Sequence, residues 1–164
     1  MALRNIRIAG DRVLEKTCRP VKEMTPKVEN LINDMLETMY DAGGVGLAAP
    51  QVGILKRIVV IDVDFEEPHP YIMINPEILE VSEETQTGDE GCLSLPGQSG
   101  TVTRPMRVKA RALDRNMEPY EIEGEGLLAR AICHELDHLD GILYMTKVEG
   151  ELREAGASEE EFAQ

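Results

Sequence analysis

Two periods of apolar residues alternate along the chain and mark out its elements. Val28, Leu31, Ile32, Met35, Leu36 and Met39 recur at steps of three and one, which places them on one stripe of a helix. Thr25 is suited to cap that helix, Pro26 to occupy its first position, and Gly43-Gly44 to end it. A second helical stripe follows much later, in Leu127, Leu128, Ala131, Ile132, Leu136 and Leu139, with Gly141 as its stop. Between them, Ile58-Val59-Val60-Ile61 is an unbroken apolar run, as a strand buried on both faces requires. Further strands are predicted around 72–74, 78–81, 106–113 and 120–122. In the third of these, Val108, Ala110 and Ala112 alternate with Arg107, Lys109 and Arg111, the pattern of a half-exposed strand. Asp114-Arg115-Asn116 reads as the turn that follows. The stretch through Pro20 reads as an extended arm with a short helical turn, and 44–53 as a loop of small residues that let backbone approach a ligand. The pattern implies one α+β domain: antiparallel strands packed around the late helix, plus the N-terminal helix.

Composition narrows this picture. Aromatics make up 4% of the 164 residues and Trp is absent, so the core must be built from aliphatic side chains and the eight Met. With 17 Lys+Arg against 31 Asp+Glu, the net charge of −14 argues against dedicated nucleic-acid binding, which needs clustered positive charge. Cys18, Cys92 and Cys133 are odd in number and form no disulfide framework, which suits a reducing compartment. The opening MALRNIRIAG lacks the apolar run of a signal peptide, and no stretch is long enough to span a membrane. The expected location is the cytoplasm. Residues 149–164 carry six acids against one Arg. They are expected to form a frayed or loosely helical tail behind a body of 1–148.

The chemistry concentrates in the second helix, at His134-Glu135-Leu136-Asp137-His138. Residues four apart on a helix lie on one face, so His134 and His138 can offer two imidazole nitrogens to one metal ion. Glu135 is turned about 100° away, placed to reach a water on that metal without ligating it. Two of the chain's three histidines sit here. A third ligand is required. Tyr144 occupies the position where one extended His-Glu-x-x-His pattern needs a third His, the downstream acids lie in the polar tail, and His69 lies between prolines in a predicted loop. Cys92, in Glu90-Gly91-Cys92-Leu93-Ser94, remains, and a thiolate with two imidazoles and a water makes a sound open metal site.

These segments, together with Gly44-Val45-Gly46-Leu47-Ala48-Ala49-Pro50-Gln51, resemble the three signature motifs of peptide deformylases, in that family's order and spacing. The resemblance covers nearly the whole chain. It implies a metal-dependent hydrolase that removes the formyl group from N-formylmethionine at the start of new polypeptides. It also implies that Gln51, through its side-chain amide, and Leu93, through its backbone N–H, stabilise the oxyanion while Glu135 moves protons. Substrate would lie along Val45, Gly46 and Gly91, with the Met side chain near Val45, Leu127 and Ala131, and Glu90 and Arg104 would form a supporting ion pair. The active ion would be Fe(II), with Zn, Ni or Co able to occupy the site, and the substrate would bring the enzyme transiently near the ribosome. Two departures stand out. Cys133 replaces a frequent Gln, and the acidic tail replaces the basic C-terminal helix of some members. Two rivals share the metal site: a general metallopeptidase, which needs an extended cleft, and a non-catalytic metal module, which a fourth protein ligand usually closes.

Overall fold

The computed structural model describes residues 2–154. Helix α1 spans Pro26–Asp41 and starts as its sequence requires, with Thr25 Oγ1 accepting from the Val28 N–H at 3.2 Å. Its apolar stripe is buried, with Val28, Leu31, Ile32, Met35 and Met39 all in the core. Helix α2 spans Leu127–Leu139. Two antiparallel sheets accompany these helices. One has five strands in the order β1 (Gly46–Ala48), β2 (Ile58–Ile61), β3 (Tyr71–Val81), β6 (Arg107–Leu113) and β7 (Pro119–Glu125). The other has three, in the order β4 (Thr85–Cys92), β5 (Leu95–Pro105) and β8 (Glu149–Glu154).

Strand β2 shows how one short apolar run organises two cores. Its side chains alternate between faces of the sheet, as any strand's must. Ile58 and Val60 join Leu31, Ile32 and Met35 of α1, whereas Val59 and Ile61 join Ala129, Ile132 and Leu136 of α2. The five-stranded sheet is therefore covered by a helix on each face. Truncating any of these large buried side chains to Ala costs about 2–5 kcal/mol.

Glycines set how closely α2 approaches. A Cβ on Gly124 of β7 would stand 2.9 Å from Leu128 Cγ and 3.2 Å from the Ala129 nitrogen, so only Gly lets helix and strand meet there. At the far end Gly141 adopts φ +75° and lies against the Glu15 carbonyl, closing the helix where the pattern placed its stop.

Four segments differ from the sequence expectation. The loop over 44–53 contains the short strand β1 and a 3-10 turn, Ala49–Val52. The two strands expected at 72–74 and 78–81 are one strand, β3, whose register shifts between Ile74 and Glu77, with Asn75 at φ 51°. Pro76 lies at that break, where its missing N–H costs no ladder bond. Strands β4 and β5 were not anticipated at all. They carry few apolar residues and several glycines, and are held by a long antiparallel ladder from Thr85↔Pro105 to Gly91↔Ser99.

The fourth difference corrects the expected tail. Glu149–Glu154 is neither frayed nor helical but forms β8, pairing Glu149 with Thr101 and Glu154 with Gln98. Leu152 packs toward Gly100, Thr103 Oγ1 donates to Glu149 Oε1 at 2.6 Å, and Arg153 pairs with Asp89. Residues 155–164 of that expectation lie outside the described residues. Among those described, no helix is long and apolar enough to cross a membrane.

Candidate metal centre and catalytic cleft

Three elements converge on one point. Helix α2 presents His134 and His138 one turn apart. Cys92 ends β4 at a break in register, where pairing jumps from Gly91↔Ser99 to Cys92↔Leu95, so its side chain leaves the ladder. The 3-10 turn supplies Gln51, whose backbone carbonyl accepts from the Arg7 N–H at 2.7 Å.

The three donors form a group whose ligand atoms all lie within 4.8 Å of one another. His134 Nε2 is 3.2 Å from His138 Nε2, which is 3.4 Å from Cys92 Sγ. Tetrahedral coordination at ordinary metal–imidazole and metal–thiolate bond lengths separates such atoms by about 3.3–3.6 Å. The donor set therefore fits one divalent ion with a position left for water or substrate. The two imidazoles shift in opposite directions. Burial pushes the His134 pKa down, but Glu135, Cys92 and Glu90 outweigh it and raise it. Burial and the nearby His134 drive His138 well below its ordinary value.

Behind the ligands lies a buried ionic network. The Glu90 carboxylate accepts from His134 Nδ1 at 2.7 Å, Arg104 Nη2 at 2.6 Å and Arg130 Nη1 at 2.9 Å. Burial raises its pKa, but His134 and Arg104 prevail and hold it near about 2. Arg104 also donates to Asp137 Oδ2 at 2.9 Å, which meets Lys147 at 2.9 Å. By accepting the Nδ1–H hydrogen bond, the Glu90 carboxylate fixes the ring orientation that turns His134 Nε2 toward Cys92 and His138. His138 Nδ1 has no partner among the described residues.

Glu135 is buried on the cleft side of α2, and its Oε1 has no hydrogen-bond partner among the described residues. Burial is the main cause that raises its pKa to about 7, with Glu90 adding to it and His134 opposing. A Cβ on Gly46 would collide with this carboxylate, and one on Gly44 would lie 2.7 Å from Leu93 Cδ1. The missing side chains open the floor of the cleft. Gln51 Oε1 accepts from the Ala48 N–H at 2.9 Å, fixing the amide so that Nε2 faces Ser94 Oγ at 3.1 Å and Cys92 Sγ at 3.5 Å.

Eleven of the thirteen site residues named from the sequence line one cleft of about 470 Å³: Val45, Gly46, Gln51, Glu90, Gly91, Cys92, Leu93, Leu127, Ala131, His134 and Glu135. His138 lies at its base, fully buried, and Arg104 stands behind Glu90. The sequence reading passed over Arg130, Asp137, Ser94 and Tyr144, whose ring centroid is 5.7 Å from that of His134. Arg130 lies one turn before His134 on α2, but its role comes from its contact with Glu90 of β4, which the helix pattern does not show. Cys133 faces away, in the core with Ile132 and Leu136, and burial raises its thiol pKa.

Comparison with known proteins supplies the family. The family model described as polypeptide deformylase matches residues 3–154. The peptide deformylase of Lachnoclostridium phytofermentans is 66% identical over 161 residues, covering 98% of each chain. That of Agathobacter rectalis is 68% identical over 154 residues, 94% of this chain and 95% of the relative. Among solved structures, the peptide deformylase from Thermotoga maritima superposes with a TM-score of 0.86 at 42% identity, covering 90% of this chain and 99% of that one. The Synechococcus elongatus peptide deformylase, solved in complex with actinonin, gives 0.85 at 41% identity, covering 90% and 80%. With its fold and nearly its full length in common with them, the chain belongs to the polypeptide deformylases, metal-dependent hydrolases that remove the N-formyl group from nascent peptides.

Proposed function

We propose that Cys92, His134 and His138 hold a single Fe(II) ion and that Glu135 is the proton carrier of the deformylation reaction. The observation that carries this reading is the unpartnered Oε1 of Glu135 in the cleft beside the three donors. A bound divalent ion supplies Lewis acidity, polarising the formyl carbonyl and making water a stronger acid. Zn, Ni and Co suit the same donors, and zinc is expected to bind but support little turnover.

The protein's part follows from its own groups. Glu135, held near neutrality by burial, accepts a proton from the attacking water and returns it to the departing amine nitrogen. As the carbonyl carbon becomes tetrahedral, its oxygen gains charge and needs donors. Gln51 Nε2 exchanges its long 3.5 Å contact with Cys92 Sγ for that oxygen, and the Leu93 N–H is the second donor. Gly46 and Gly91 let an extended peptide run through the cleft, and Leu127 and Ala131 bound an apolar place for the Met side chain near Val45. Glu90 and Arg104 position His134. The enzyme works in the cytoplasm and meets its substrate close to the ribosome.

Formate release from formyl-Met-Ala-Ser by anaerobically purified, iron-loaded protein tests the reading, with the peptides followed by mass spectrometry. We expect formate and intact Met-Ala-Ser, and much slower release after zinc replaces iron. Cleavage of an internal peptide bond without formate would favour a general metallopeptidase. Silence with iron fully loaded would leave a non-catalytic metal module.

A further inference from the structure

The charge of this acidic chain is unevenly spread. Seven of its 17 Lys and Arg residues but only three of its 31 acids fall within the first 27 residues. Ion pairing sharpens the contrast. Every Lys and Arg beyond position 56 lies within 4.0 Å of an acidic side chain. The six cations without such a partner among the described residues are Arg12, Lys16, Arg19, Lys22, Lys27 and Lys56. Positive charge is neutralised over most of the described chain, and the unpaired cations come almost entirely from its first 27 residues.

Three of those six, with Arg4, line one cavity of about 520 Å³ that has no acidic lining residue and shares none with the catalytic cleft. Its construction is definite. Arg19 and Lys56 are held side by side by an isolated parallel bridge, with the Arg19 N–H donating to the Leu55 carbonyl at 3.0 Å. Lys27 sits in the first turn of α1, where the helix dipole disfavours a cation. Arg4 is anchored through Nε to Asp34 at 2.9 Å. Pro20, Leu31, Ile54 and Leu55 add apolar surface between the charges.

We infer that this cavity is a docking surface for the phosphate backbone of RNA, distinct from the deformylase cleft. Four cations around an apolar floor suit phosphates flanking ribose faces. No aromatic side chain lines the cavity, so bases are not stacked and sequence is not read. None of the exposed large apolar residues lines it either, and a membrane anchor would need one to insert. The net charge of −14 does not forbid the contact. At physiological salt the Debye length is about 8 Å, so a phosphate in the cavity responds to the nearest cations. RNA is chosen over other polyanions because a nascent peptide is made on an RNA-rich particle, and to that extent the inference rests on the deformylase activity. It also revises the expectation from net charge, since a small cationic cavity makes weak contacts without the chain being a dedicated nucleic-acid binder.

The test measures binding of a labelled mixed-sequence RNA by fluorescence anisotropy, with the full metal-loaded chain, across a salt series. Arg19→Gln/Lys27→Glu/Lys56→Gln should weaken binding at least tenfold and flatten the salt dependence by about two to three in log–log slope. Its kcat/KM for formyl-Met-Ala-Ser should stay at the wild-type value, which keeps this question apart from the enzymatic one. Arg107→Gln/Arg111→Gln, which removes ion-paired cations of β6, should leave RNA binding unchanged. Equal loss in both variants, or none in the triple variant, overturns the inference. So does preferential binding to phosphatidylglycerol vesicles or to a poly-glutamate peptide of matched charge, or full competition by millimolar inorganic phosphate.

Discussion

Glu135 and Cys92 line one cleft with different duties, and substitution can separate them. Glu135→Gln keeps the size of the side chain and removes its ability to take a proton. It should retain one metal per chain while losing on the order of 10²–10⁴ in kcat, the usual weight of a general base. Metal content by elemental analysis beside the rate decides it, since a metal-free variant would make Glu135 a ligand. Cys92→Ser should lose metal readily. Cys133→Ser should keep it, because that thiol is turned into the core. Equal metal loss in both variants would mean that Cys92 is not the third ligand. The sequence suggested these roles because they follow from spacing along one helix and a short list of possible thiolates. Arg130 and Asp137 were illegible for the opposite reason. Charged residues on a helix are usually solvated, and only the fold brings Glu90 of β4 and Arg104 of β5 against them.

Strands β4 and β5 form the element on which the site depends most and which the pattern of side chains concealed. Elements with a packed face were readable: the stripe of α1, the apolar run of β2 and the alternation of β6 each report burial on a known side. The β4–β5 hairpin has no such face along most of its length, and its backbone ladder leaves no periodic mark on Thr85-Gln86-Thr87-Gly88. Glu90 is instead what fastens it to α2. His134 and Arg104 hold the folded carboxyl at about 2, below an ordinary 4.5. A depressed carboxylate pKa stabilises the fold above the unfolded value and loses that contribution as pH falls through the folded one. The difference in thermal midpoint between wild type and Glu90→Gln should therefore be full at pH 5–7 and shrink steadily toward pH 2. A difference independent of pH would mean that Glu90 acts by shape and not by charge.

At the scale of the molecule, the helix bearing the histidines serves the five-stranded sheet, and the cysteine belongs to the three-stranded one. The two sheets share no strand. A metal bound at Cys92, His134 and His138 would consequently rivet two layers together, and its escape would require them to part. The dissociation rate then becomes a gauge of how often the layers breathe. A peptide or unreactive analogue lying between Gly46 on β1 and Gly91 on β4 spans the same seam. Saturating the protein with such an analogue should slow chelator-driven metal loss several-fold, read as release of metal to a coloured chelator over time. An unchanged rate would mean that metal leaves through the open cleft without any parting of the layers. Occupancy of the metal and residence of the peptide would otherwise be two readings of one motion.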